Sequence, residues 1–193
     1  MPKPSDFLLT ALAPAIWGST YIVTTQLLPD GYPLTVSLLR ALPAGLILLL
    51  LVRQWPKPEW LSKLFVLGFL NFTLFWGLLF VAAYRLPGGV AATLGATQPL
   101  IVLFLARGLI GAPIRPLAVV AALGGFVGVA LLLLSSTITL DPLGIAAAFG
   151  GALSMALGTV LTRRWQFPVA PLTLTAWQLT TGGLLLLPLA LAV

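Results

Sequence analysis

The sequence predicts an all-α fold: a polytopic membrane helix bundle built as an inverted five-helix repeat, the first repeat complete and the second partial. Three observations predict it. First, 60 % of the 193 residues are hydrophobic and only 7 % charged, with a mean hydropathy of +1.10, where a soluble domain carries about a quarter charged residues. Second, seven apolar runs approach the roughly 20 residues that a helix needs to cross a bilayer core. Third, the chain repeats itself. Pro33–Val52 (PLTVSLLRALPAGLILLLLV) and the stretch from Pro171 to Ala190 (PLTLTAWQLTTGGLLLLPLA) are offset by 138 positions and share eight of twenty residues without a gap. The shared residues include the opening Pro-Leu-Thr and a Gly-Leu pair at Gly45 and Gly183.

The expected spans are Phe7–Leu28, Pro33–Val52, Leu61–Ala83, Gly88–Ile110, Pro116–Ser135, Pro142–Thr162 and Pro171–Val193. Backbone groups in lipid must be satisfied within the segment, so such runs are helices. No short alternating strands suggest a membrane barrel. Five helices separate the start of the first repeat from that of the second, and this odd number inverts the second copy across the membrane. The repeats are expected at residues 1–136 and 137–193.

Basic residues set the orientation. Lys3, Arg53, Lys57, Lys63, Arg107, Arg115, Arg163 and Arg164 precede the first helix or flank the loops after the second, fourth and sixth. The other loops hold only Arg85, and Arg40 lies inside the second helix. Positive-inside then places the N-terminus in the cytoplasm of a cell carrying this protein in its inner (plasma) membrane. The net charge of +6 is therefore topological. No basic cluster interleaved with aromatics suggests nucleic acid.

Catalysis finds little support. The chain has no cysteine and no histidine, which removes thiol chemistry and the usual transition-metal ligands. Its four acids, Asp6, Asp30, Glu59 and Asp141, fall at helix ends or in loops, so no general base is expected at depth. The last run holds no lysine for a retinal Schiff base. No enzyme activity, cofactor or metal is expected. The partners expected are the lipid bilayer and a small-molecule substrate.

Candidate solute contacts come from polar and aromatic residues at depth. The first run carries Pro14 and then Trp17-Gly18-Ser19-Thr20-Tyr21. Such a stretch fits either close helix packing or a cavity wall. Arg40 sits seven residues inside the second run, where a charge is costly unless it snorkels or serves a function. In the third run Asn71 needs a partner, with Thr73 and Trp76 nearby. The fourth is small and polar through Thr93, Thr97 and Gln98 until Pro99, a half-helix ending at a proline kink. The fifth carries a GxxxG pair, Gly124 and Gly128, a packing pattern. The sixth has Gly150-Gly151, Ser154, Gly158 and Thr159; the seventh has Trp177, Gln178 and Gly182-Gly183. The candidate site is therefore Trp17, Ser19, Thr20, Arg40, Asn71, Trp76, Thr93, Thr97, Gln98, Trp177 and Gln178.

Trp17-Gly18-Ser19, Arg40, the passage Ala82–Pro99 and the ending Arg163-Arg164 together resemble the EamA family of the drug/metabolite transporter superfamily, along the whole chain. The resemblance implies ten helices in two inverted repeats, a cytoplasmic N-terminus, and a central cavity between helices 1 to 4 and 6 to 9. It also implies export of small metabolites, often amino acids, by alternating access without ATP hydrolysis. Two departures stand out. The glutamate common after the family's fourth helix is absent from Arg107-Gly108-Leu109-Ile110-Gly111-Ala112. The sequence also stops at the seventh run, so helices 8 to 10 would belong to a longer chain, a partner chain or a homo-oligomer, or be lost in a decayed product. The rival class is a non-transporting membrane scaffold or assembly subunit.

Overall fold

In the computed structural model, which describes residues 4–27, 31–135 and 141–192, all seven runs are helical. They are α1 (Pro4–Leu27), α2 (Pro33–Val52), α3 (Pro58–Arg85), α4 (Gly88–Ile110), α5 (Pro116–Ser135), α6 (Pro142–Trp165) and α7 (Pro171–Leu191). Among the described residues, α2, α3, α4, α6 and α7 are long and apolar enough to cross a membrane. The protein is a multi-pass membrane protein. The expected boundary between repeats, at residues 136 and 137, lies outside the described residues.

Proline begins α2, α3, α5, α6 and α7. Its missing N–H would have no intrahelical partner at that position, and its fixed φ suits the first turn. That is why α3 starts at Pro58, before the expected Leu61, with a 3₁₀ turn over Pro58–Trp60. Two helices depart from regular geometry. α3 passes through a π-helical segment, Phe69–Leu74. α4 is broken at Ala96 and Thr97, between Gly88–Gly95 and Gln98–Ile110. The second break follows from Pro99, which has no N–H for the Gly95 carbonyl. The turn tightens instead: the Thr97 N–H donates to the Leu94 carbonyl at 3.1 Å, and the Leu100 N–H to Thr97 at 3.0 Å.

The bundle centres on α2 and α7, the two repeated segments, which pack antiparallel. A Cβ on Gly45 would lie 2.6 Å from the Thr180 nitrogen, and one on Gly183 2.8 Å from the Leu42 Cα. Leu42 and Thr180 are themselves 138 positions apart, as are Gly45 and Gly183. Exchanging each residue for its repeat equivalent therefore turns one contact into the other. The contact is reciprocal, as a local two-fold relation between inverted segments requires. Gly182 extends the junction to α3, where a Cβ would meet the Gly68 carbonyl oxygen and the Phe72 Cβ at 2.7 Å.

Contacts also define two ends of the bundle. At one, Trp60 stacks edge-on to Phe167 with centroids 5.8 Å apart, and Lys63 lies 5.9 Å from the Trp165 ring centre. At the other, Arg85 at the end of α3 meets Asp141 before α6 at 2.7 Å. We call these the basic and the Arg85 ends.

Replacing Gly45 or Gly183 with valine should drive side-chain atoms into backbone. Overpacking of this kind costs about 1–3 kcal/mol. Each variant should therefore lower the thermal midpoint of the detergent-solubilised protein, followed by size-exclusion chromatography. Gly124→Val is the control, since a Cβ there meets nothing within 4 Å; its midpoint should match the parent's.

Candidate functional site

The small residues that lighten α4 and α6 leave space between them. A cavity of about 820 Å³ is walled by Gly18 and Ile22 of α1, Phe75, Leu79 and Ala82 of α3, Gly88, Gly89, Ala91, Ala92 and Gly95 of α4, and Ala148, Gly151 and Ala152 of α6. It lies towards the Arg85 end. Gln98 is the polar side chain in its lining with an amide, and Pro99 and Ala96 stand beside it. The helix break thus falls at the cavity wall. The Gly95 carbonyl that Pro99 leaves without its helical donor belongs to a lining residue. Unwound backbone at membrane depth is tolerated where it borders such a space.

A second cavity of about 290 Å³ lies between α3, α6 and α7 towards the basic end, bordered by Asn71, Met155, Thr159, Thr162, Thr175 and Gln178 among others. Asn71 sits inside the π-helical segment, a distortion frequent at functional sites. Its Nδ2 donates to Gln178 Oε1 at 2.7 Å. Its Oδ1 is buried without a hydrogen-bond partner and occupies the space where a side chain on residue 158 would begin; Gly158 gives it room. A buried acceptor left unmet costs roughly 1–3 kcal/mol.

The other candidate residues divide into a joint and a set of packing contacts. Arg40 Nη1 donates to Thr20 Oγ1 at 2.9 Å, and the guanidinium lies 5.1 Å from the Trp76 ring centre. Trp76 packs edge-on to Phe72 at 5.2 Å. Arg40, Thr20 and Trp76 therefore tie α1, α2 and α3 together and are absent from both cavity linings. Ser19 is exposed and donates to the Ile16 carbonyl at 2.8 Å. Thr93 and Thr97 donate to the Gly89 and Leu94 carbonyls, each at 2.7 Å, and neither borders the large cavity. Trp177 is buried at the basic end, where its Nε1 donates to the Gln54 carbonyl at 2.8 Å and its ring lies 5.9 Å from that of Trp60. The side chains of Trp17 and Tyr21 lie outside the described residues.

The structure thus gathers Asn71 with Gln178, and Arg40 with Thr20 and Trp76, and sets Gln98 apart from both. The reading of the sequence did not nominate the α6 wall, Ala148, Gly151 and Ala152. Its signal was present as the run of small residues from Gly144 to Gly158, which resembles an ordinary packing surface.

The profile of the EamA-like transporter family matches residues 5–134. The chain belongs to that family. It is 49 % identical to Protein PecM of Dickeya dadantii over 178 residues, covering 91 % of this chain and 60 % of that protein. It is 32 % identical to the uncharacterized inner membrane transporter YedA of Escherichia coli K12 over 177 residues, 89 % of this chain and 58 % of the relative. With the uncharacterized transporter YvbV of Bacillus subtilis it shares 29 % over 193 residues, 97 % of this chain and 63 % of the relative. The chain thus spans about three fifths of the length of these relatives. No solved structure matches it.

Outside the membrane spans, Asp141 carries the resolved electrostatics. The hydrogen bond from Arg85 and the backbone N–H groups of Gly144 and Leu143 hold its carboxyl below the usual carboxylate value. A depressed folded pKa adds stability above the ordinary value of 3.8, and this is lost as pH falls through the lowered one. Asp141→Asn should therefore lower the thermal midpoint at neutral pH, and the difference from the parent should begin to shrink near pH 3.8 and vanish below the lowered value. A difference that persists at low pH would assign the effect to helix capping alone.

Proposed function

We propose that this chain forms the greater part of a transporter that moves small solutes across the inner (plasma) membrane by alternating access, in the export direction and without ATP hydrolysis. The observation that carries this is the large cavity between α1, α3, α4 and α6, with a broken helix at its wall. Broken helices at a midplane cavity are a recurrent feature of secondary transporters. Gln98 and the Gly95 carbonyl are its solute-facing polar groups, with Asn71 and Gln178 at the second cavity. Family membership and the names of the relatives YedA and YvbV, both called transporters, support the transport class.

The N-terminus is assigned to the cytoplasm. The clustering of Arg53, Lys57, Lys63, Arg163 and Arg164 around the contacts of the basic end supports this, with Arg85 at the other end. The repeats are assigned to residues 1–136 and 137–193. The reciprocal glycine contacts support that division, as does a family match that ends at residue 134. Arg40, Thr20 and Trp76 hold the wall in place. The lipid bilayer is the protein's medium, and helices completing the cavity come from a continuation of the chain or from a partner chain.

Proteoliposomes loaded with a cell extract offer a direct test, with released solutes read by mass spectrometry. The protein should release at least one small solute faster than empty liposomes do. A Cβ on Gly95 meets nothing within 4 Å, so Gly95→Leu should fold, fill the cavity and abolish that release. Gln98→Leu should slow it about tenfold, the equivalent of one lost hydrogen bond of roughly 1.4 kcal/mol. Release that is no faster than from empty liposomes, or unchanged release by Gly95→Leu, would refute this function.

A further inference from the structure

The two cavities lie along the same two helices, α3 and α6, and share no lining residue. Between them the π-helical segment of α3 is pinned to α6: the Ser154 hydroxyl donates to the Leu70 carbonyl at 2.7 Å, and Asn71 lies over Gly158. On the α7 side, Thr73 donates to the Gly182 carbonyl at 2.9 Å, and Gln178 takes the Asn71 N–H.

We propose that the smaller cavity is a second station for the solute, reading an uncharged hydrogen-bonding group through the amides of Asn71 and Gln178. The proposal rests on the transport reading above and adds the chemical class of what is recognised. The Thr159, Thr162 and Thr175 hydroxyls already donate to the carbonyls of Met155, Gly158 and Pro171. Their oxygens therefore meet a solute as acceptors. Gln178 Oε1 is engaged by Asn71, so its N–H₂ is what the residue offers as a donor. Donor and acceptors together match a carboxamide or a urea-like group. Among the described residues no acid, lysine or arginine borders either cavity, and a bare carboxylate or ammonium is costly to desolvate without a counter-charge. The station thus selects against free amino acids, the substrates expected from the family resemblance.

Asn71 supplies the moving part. It is 6 % exposed, and its Oδ1 has no partner. When α6 moves off the π-helical segment, that oxygen becomes free to accept from the solute while Gln178 is released. Recognition then exchanges the Asn71–Gln178 amide–amide bond for an amide–solute bond.

The chain has no cysteine, so Met155→Cys introduces a single reporter thiol at the cavity lining, at a side chain with no part in the proposed recognition. In inside-out vesicles, a membrane-impermeant methanethiosulfonate should label it. Benzamide should slow labelling at least twofold. Benzoate and benzylamine, matched in size but charged, should not. Adding Asn71→Leu or, separately, Gln178→Leu should remove the protection by benzamide. Absence of labelling, equal protection by all three compounds, or protection that survives both leucine variants would overturn the proposal. None of these readings depends on flux. Solute release that persists without benzamide protection would sink the second station alone, and protection without release would sink only the transport reading.

Discussion

Gly45 and Gly183 let α2 and α7 approach until backbone meets backbone, and the other helices are placed by that contact. Lipid gives apolar helices no hydrophobic reason to associate, so close packing and interhelical hydrogen bonds must hold them. The α7 glycine pair serves both sides of the helix: Gly183 faces Leu42 of α2 and Gly182 faces Gly68 of α3. α3 is thereby clamped along α7, with the Thr181 hydroxyl reaching the Leu64 carbonyl at 3.2 Å and Thr73 reaching that of Gly182. The position of α3 fixes one wall of both cavities.

Each cavity is bordered by a helix that has given up regular geometry. In α4 the cause is covalent, since Pro99 has no N–H to give. In α3 the π-helical segment is held by its neighbours: Ser154 of α6 takes up one of its carbonyls, and Thr73 within it bonds α7. A regular helix would have kept these groups to itself. Breaking the ladder releases polar atoms at depth, and the fold spends them on interhelical ties and cavity walls.

Much of this was legible in the sequence, for identifiable reasons. Helix number and placement follow from apolar runs and initiating prolines, which act locally. The repeat marked α2 and α7 as equivalent segments sharing a glycine (Gly45 and Gly183), but that these glycines lie at a contact between the two helices emerged only from the structure. The break in α4 was written in Pro99. Less legible was which polar residue faces what. Trp177 and Gln178 are neighbours in sequence, yet one seals the basic end against Gln54 and the other borders a cavity. Thr93 and Thr97 looked solute-facing, but a helical hydroxyl can bond its own preceding turn, and both do. The π-helical segment has no proline or other covalent marker. The α6 wall is built from absent side chains, which composition registers only as smallness.

The distribution of charge bears on what could drive movement through such a bundle. Arg40 lies within α2, and Thr20 and Trp76 hold it away from both cavities. Among the described residues, Glu59 lies in the first turn of α3 and Asp141 just before α6, so neither carboxylate stands at depth to carry a proton against the solute. An uncharged solute feels no work from the membrane potential, which acts only on net charge. Under the proposal of an uncharged solute, the passage would take its direction from the solute's own gradient, through facilitated movement or exchange. Amides and hydroxyls supply the recognition, and glycines and alanines supply the space.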